Sequence, residues 1–243
     1  MGAYVVLGGT GAVGSALTER LIGSGNHVTI SARDSEKARP LQERTGCDVC
    51  QATADDSASI AEAVGFAREK HGRLDGAANC IGSILLKPAH LTTDDQWHET
   101  LMTNLSSSFF LSRAAAKAMR ESGGSIVLVS SVAARYGMAN HEAIAAAKAG
   151  VEGLTVSLAA TYANRGIRVN AVAPGLVKSE MTRSLWESAP IAQASEKMHP
   201  LGRLGEPAEV AALMAWLLEP ASGWLTGQVI GIDGGLGSIA SRR

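Results

Sequence analysis

The chain of 243 residues is 46% hydrophobic, carries 27 glycines and balances 22 Lys and Arg against 23 Asp and Glu. Its length fits one large α/β domain with enough apolar residues to bury a substantial core. No basic surplus and only 4% aromatic residues argue against a nucleic-acid partner, an anionic membrane surface or a base-stacking platform.

In chain order, "AYVVLGG" reads as a strand and "GSALTERLIGSG" as a helix that ends at Gly23 or Gly25. "HVTISAR" is a second strand, and "SEKARPLQERTG" a helix with Ser35 as N-cap and Pro40 limiting its regularity. "CDVCQAT" is a short third strand, "DSASIAEAVGFAREKHG" a helix, and "LDGAANCIG" a fourth strand running into a loop. Two long helices, about 93–121 with a break and 140–163, flank the strand "GSIVLVSS". "GIRVNAVAPG" is a sixth strand, 175–206 reads as irregular, "PAEVAALMAWLLE" is a helix, and a last strand lies near "GQVIGID". The alternation predicts an α/β, single-domain Rossmann fold over 1–243: a doubly wound parallel sheet of about seven strands with helices on both faces. The tail "SIASRR" is expected to fray or to pack on a neighbouring subunit.

No stretch reads as long and apolar enough to span a bilayer. The opening "MGAYVVLGG" lacks the basic region, apolar run and cleavage site of a signal peptide, so a cytoplasmic setting is expected. Cys47 and Cys50 form a lone C-x-x-C without further ligands nearby for zinc. They read, with Cys80, as thiols of a reduced protein.

"VVLGGTGAVGSAL" is a strand, a glycine-rich turn and a helix start, with Gly8, Gly11 and Gly14 spaced G-x-x-G-x-x-G. Glycine lets a phosphate approach the main chain, and the helix N-terminus that follows offers free N–H groups to a pyrophosphate. Gly8, Thr10, Gly11, Val13 and Gly14 are therefore expected to contact a dinucleotide. The second strand ends in Ala32 and Arg33, where an NAD-preferring site places an acidic residue for the ribose hydroxyls. A guanidinium pairs instead with the extra phosphate of NADP, so NADP(H) is the expected cofactor.

At this point the chain resembles the short-chain dehydrogenase/reductase family over nearly its whole length, in the single-domain subgroup that includes 3-oxoacyl-acyl carrier protein reductases. "NCIG", Asn79 to Gly82, is similar to the family's N-N-A-G after the fourth strand. Asn104 in "MTNLSSSFFLSRAA" stands at the family's structural and catalytic asparagine, Ser131 in "VLVSSVAA" at its carbonyl-binding serine, and Lys148 at its lysine. "RVNAVAPGLVKSEMT" is similar to the family's P-G turn. The resemblance implies that Asn79, Gly82, Lys148, Pro174, Gly175, Val177 and Ser179 contact the cofactor. "HPLGRLGEPAEVA" and "LTGQVIGIDGG" resemble the C-terminal signature.

Four departures stand out. Ala12 occupies a glycine position of the single-domain pattern, Thr53 the place of an aspartate that often contacts adenine, and Cys80 the second Asn of N-N-A-G. Ile144 stands where the family has the tyrosine of Y-x-x-x-K. In the family that tyrosine protonates the carbonyl oxygen while hydride reaches the carbon. An isoleucine carries no such proton.

At about 100° per residue, 141, 144 and 148 share one helix face. Enoyl-acyl carrier protein reductases, a divergent branch that this chain resembles here, carry their tyrosine seven residues before the lysine, which is the position of His141. Histidine donates a proton near neutral pH. His141 is therefore one candidate acid, Tyr136 a second, and a water held by Lys148 a third. His141 as an N-terminal-turn histidine and Tyr136 as a pocket-lining loop aromatic are the plainer alternatives.

Ala residues with Gly150 and Gly153 along 140–163 allow close helix approach, either inside the chain or in the two-fold interface that the resemblance implies for a homotetramer or dimer. Segment 178–200 is expected to be a mobile substrate lid, with Met181, Leu185 and Trp186 giving it an apolar face. Two functions remain open at this level: an NADP-dependent oxidoreductase with an unusual proton donor, or a catalytically idle NADP-binding subunit.

Overall fold

The computed structural model describes residues 1–240, so the last three residues of the tail "SIASRR" lie outside the described residues. Seven parallel strands form one sheet in the order β3-β2-β1-β4-β5-β6-β7. They are β1 (Ala3–Leu7), β2 (His27–Ala32), β3 (Asp48–Gln51), β4 (Gly76–Asn79), β5 (Gly124–Val129), β6 (Ile167–Pro174) and β7 (Val229–Ile232). Helices α1 (Ala12–Gly23), α2 (Ser35–Thr45), α3 (Ser57–His71), α4 (Asp94–Leu101), α5 (Ser107–Ala118), α6 (Glu142–Tyr162), α7 (Arg183–Trp186), α8 (Ala189–Met198) and α9 (Pro207–Leu218) connect them.

Strand residues alternate between faces, and the two cores follow that alternation. Tyr4, Val6, Val28, Ile30, Val127 and Val172 meet α1 and α9 through Leu17, Leu21, Val210, Met214 and Leu217. Val5, Leu7, Ile126, Leu128, Val169 and Ala171 meet α3, α5 and α6 through Ile60, Val64, Leu111, Ala115 and Val151. Thr29 pairs with Val5 in the β1–β2 register and is buried. Its hydroxyl has no hydrogen-bond partner among the described residues. A buried unpaired hydroxyl costs about 1–3 kcal/mol, so Thr29→Val is expected to raise stability by about 1 kcal/mol in urea unfolding. A loss of stability would contradict the unpaired state.

Several sequence expectations need correction. Asp34, not Ser35, caps α2, its carboxylate accepting from the Glu36 N–H at 3.0 Å. An acceptor one residue earlier serves that N–H better because the Asp34 backbone is extended. The expected break in 93–121 is a π-helical segment, Met102–Ser106, that joins α4 to α5 without interruption. The stretch 175–206, read as irregular, contains α7 and α8. One helical run, Glu142–Arg165, is after all long and apolar enough to cross a membrane by length and composition. It buries one side on the sheet through Val151 and Ala159, which explains the apolar run of a core helix. On α6, a Cβ at Gly150 would stand 2.7 Å from Leu105 Cδ2, so that glycine serves an intrachain contact, while Gly153 faces open space.

Candidate active site

Chain order along the sheet reverses between β1 and β4. Such a reversal opens a crevice at the carboxyl ends of the two strands, where nucleotides bind in open α/β sheets. The glycine turn fills one side of it. Gly8 has φ of +70°, a left-handed conformation that favours glycine. Its N–H donates to Ser31 Oγ at 3.1 Å, and the Gly9 N–H to Ser31 O at 3.1 Å. A Cβ at Gly14 would stand 2.3 Å from Gly8 O, and one at Gly9 2.4 Å from Ile30 Cβ. The turn is therefore seated directly on α1 and β2. Helix α1 starts with Gly11 as N-cap, no side-chain cap and no acidic residue in its first turn. Its first N–H groups and dipole are left for an anion. Thr10 and Gly11 are exposed at the rim, and Ala12 and Val13 partly so. This cradle fits the pyrophosphate of a dinucleotide.

Arg33 lies exposed just beyond β2, and its carbonyl accepts from Gln51 Nε2 at 3.1 Å. At the other side of the crevice, Asn79 is buried and its side chain is fully used. Asn79 Nδ2 donates to Ser107 Oγ and Ser108 Oγ, both at 3.0 Å, and Oδ1 accepts from the Ile81 N–H at 3.0 Å. It ties β4 to α5. Cys80 N–H donates to Leu7 O at 2.9 Å, closing β4 against β1.

Asn104 sits fully buried in the π-helical segment. Its Nδ2 donates to Ser83 Oγ and to Thr100 O, both at 3.0 Å, and its Oδ1 accepts from the Ser83 N–H at 3.2 Å. Lys148 on α6 is buried, and its Nζ donates to Val129 O at the end of β5 at 2.8 Å. Gly82 lies between these two side chains: a Cβ there would be 3.2 Å from Asn104 Oδ1 and 3.8 Å from Lys148 Nζ. Ser131 stands two residues after Val129 and accepts from the Ala133 N–H at 3.2 Å. Asn104 and Lys148 thus meet at Gly82, and Lys148 also reaches the end of the strand that runs into Ser131. Burial lowers the Lys148 ammonium to about 8, with Cys80 acting the other way. Burial likewise pushes the Cys80 thiol up to about 12, against the pull of Lys148.

Ile144 is buried one helical turn before Lys148. His141 is the N-cap of α6 rather than a residue inside it, and its Nδ1 lies 2.7 Å from Ala139 O. Among the described residues no hydrogen bond links it to Lys148, Ser131 or Asn104. Tyr136 is 44% exposed on the loop after Ser131.

Beyond β6, Pro174 and Gly175 turn the chain, and the Gly175 N–H donates to Ile232 O at 3.2 Å. Val177 bridges Gly205, and Ser179 Oγ lies 3.0 Å from Thr182 Oγ1. Trp186 Nε1 donates to Ser179 O at 2.9 Å, so the apolar α7 is tied to the turn. Two anchoring residues escaped the sequence reading. Ser31 holds Gly8, and buried His199 joins the end of α8 to the turn, with Nδ1 2.6 Å from Ser195 O and Nε2 accepting from the Leu176 N–H at 3.2 Å. The Ser31 contact had no sequence signal, whereas a histidine directly before the P-L-G-R run was a visible anomaly.

The chain belongs to the short-chain dehydrogenase/reductase family. Residues 9–237 match the enoyl-(acyl carrier protein) reductase family profile. Carbonyl reductase family member 4 of Danio rerio is 36% identical over 96% of this chain and 96% of its own. The 3-oxoacyl-[acyl-carrier-protein] reductase of Salmonella typhimurium is 33% identical over 96% of each chain. Among solved structures, actinorhodin polyketide ketoreductase with NADPH superposes with a TM-score of 0.91 at 26% identity, over 98% of both chains. The family binds a nicotinamide cofactor, and these relatives are oxidoreductases.

Proposed function

We propose that this protein is an NADP(H)-dependent reductase of a carbonyl, or an activated C=C, on a partly apolar substrate, and that it works without the family's tyrosine because Ile144 takes that place. The observation that carries this reading is the meeting of Asn104 and Lys148 at Gly82, with Lys148 bound to the strand end before Ser131, beside a phosphate-ready glycine turn. When bound, the cofactor supplies hydride. Lys148 and the turn residues Gly8, Thr10, Gly11, Val13 and Gly14 would hold it, with Asn79 and Gly82 through their backbone and Pro174, Gly175, Val177 and Ser179 on the nicotinamide side. Ser131 orients the carbonyl, and Asn104 fixes the loop at Ser83. The neighbour with bound NADPH supports the cofactor class. With deuterium at the nicotinamide C4, the label is expected at the carbon of the product alcohol. Its absence from every product would remove the reading.

Arg33 supports NADP over NAD, since it is exposed beside the turn with no acid in the ribose position. Arg33→Ala is expected to weaken NADPH binding by roughly tenfold or more, the loss of a charge-assisted phosphate contact worth about 1.5–3 kcal/mol, and to leave NADH binding unchanged. Equal binding of both cofactors by the native protein would contradict it.

The proton donor is a separate matter. His141, Tyr136 and a lysine-held water remain the candidates from sequence, and His141 keeps only Nε2 free of the backbone contact at Ala139. We propose segment 178–200, with α7 and α8, as the lid over the substrate. We also propose a homotetramer or dimer, supported by Trp224 at 103% exposure and by exposed Phe109 on α5 and Val156 on α6. A monomer by solution mass measurement would remove it. Three free thiols suit a reducing, cytoplasmic compartment. Ile144 itself favours one rival, a catalytically idle NADP-binding subunit.

A further inference from the structure

Resting on the reductase reading, we propose that Lys148 itself is the acid that protonates the substrate oxygen, the task the family gives to tyrosine. Neighbouring groups are poorly suited. Ile144 has no acidic proton. Ser131 Oγ accepts from the Ala133 N–H and keeps its own O–H to orient the carbonyl, but an alcohol is a very weak acid near neutral pH. His141 stands seven residues earlier, about 10 Å along the helix axis, with Nδ1 held by Ala139 O. Tyr136 is on the exposed loop. The Cys80 thiol holds its proton until about pH 12.

Lys148 has both the protons and the access. An ammonium has three N–H donors, and Val129 O takes one at 2.8 Å. Gly82 keeps side-chain atoms out of the volume next to Nζ, where a Cβ would stand 3.8 Å from Nζ and 3.2 Å from Asn104 Oδ1. Among the described residues, Cys80 from the β4 loop is the titratable group that faces Nζ. Asn104 and Val129 O are uncharged, and Glu152 further along α6 is engaged by Arg135 at 2.6 Å and Ser130 at 3.0 Å. Burial sets the ammonium at about 8, in the range where a general acid is both protonated and ready to donate.

The step balances. Hydride from the cofactor forms the C–H bond, and the carbonyl π pair becomes a lone pair on oxygen. An Nζ–H bond breaks as the O–H bond forms. The neutral amine then regains its proton from water once the alcohol leaves. The proton must be present on Lys148, so turnover is full below about pH 8 and falls as pH rises through that value.

The test joins a titration of the free protein to kinetics. In protein labelled with carbon-13 at the lysine Cε, the resonance lost in Lys148→Arg is expected to titrate near pH 8, far below the other lysines. Arginine keeps the cation but does not release a proton in this range. Lys148→Arg is therefore expected to lose about 10²–10⁴-fold in kcat measured at saturating NADPH. Native kcat is expected to drop tenfold per pH unit above the Lys148 midpoint. A Lys148 resonance that titrates with the bulk lysines would overturn the proposal, as would Lys148→Arg with native kcat or a pH break that follows His141 in His141→Gln. NADPH binding with no turnover on any carbonyl or enoyl compound is a distinct result: it removes the reductase reading on which the proposal stands.

Discussion

Ile144→Tyr is expected to raise kcat for carbonyl reduction by about tenfold, less than the roughly 10²–10⁴-fold worth of a general acid placed where none acts, because Lys148 already donates the proton in the native protein. That corresponds to about 1.4 kcal/mol of barrier. Position 144 lies on α6 one turn before Lys148, and both are buried. A phenol there would stand beside the ammonium, which favours the phenolate and lowers the tyrosine pKa toward the working pH. The rest of the constellation is in place: Asn104 is locked by three hydrogen bonds and Lys148 by Val129 O. The measurement is a kcat comparison at saturating NADPH on the same ketones. An idle NADP-binding subunit would gain turnover from nothing. A variant that binds NADPH and shows no gain would mean that proton donation is not what Ile144 removed.

The second large effect concerns the turn. Gly14→Ala is expected to cost about 3 kcal/mol or more in stability, the upper range for overpacking, and to weaken NADPH binding at least tenfold. The new Cβ would lie 2.3 Å from Gly8 O and 3.0 Å from Gly9 Cα. Both are backbone atoms, so no side chain can move aside. Helix α1 has to back away from the turn, and its first N–H groups then no longer converge with the Gly8–Gly11 backbone on one anion. Gly23→Ala in the same helix is the matched control. Nothing lies within 4 Å of a Cβ there, so it is expected to gain roughly 0.5–1 kcal/mol. Urea unfolding and NADPH titration of the two variants separate packing at Gly14 from glycine content in general.

The sheet and the glycine turn were legible because each rests on local spacing: period-2 apolar strands and three glycines at fixed intervals. What was hidden depends on contacts between distant segments. The Asn79 side chain is engaged across the fold, its amide held by Ser107 and Ser108 of α5. Gly150 read equally well as an interface or a core glycine until Leu105 was seen against it. His141 shares a face with Lys148 on an ideal helix, but α6 begins only at Glu142, which leaves His141 as its cap. The Lys148–Cys80 pairing joins residues 68 positions apart by number and has no periodic signature. The π-helical segment around Asn104 likewise follows from packing rather than from a breaker residue in "MTNLS".

The measurement that bears most directly on function is NADPH oxidation by the purified native protein. Loss of nicotinamide absorbance is followed against ketones, diketones, β-ketoacyl thioesters and enoyl thioesters, after NADPH binding has been established by titration. Turnover on at least one of these classes, with a rate that falls as pH rises through about 8, is the expected result. Tight NADPH binding with no turnover on any of them would contradict a reductase and leave a cofactor-binding subunit in its place.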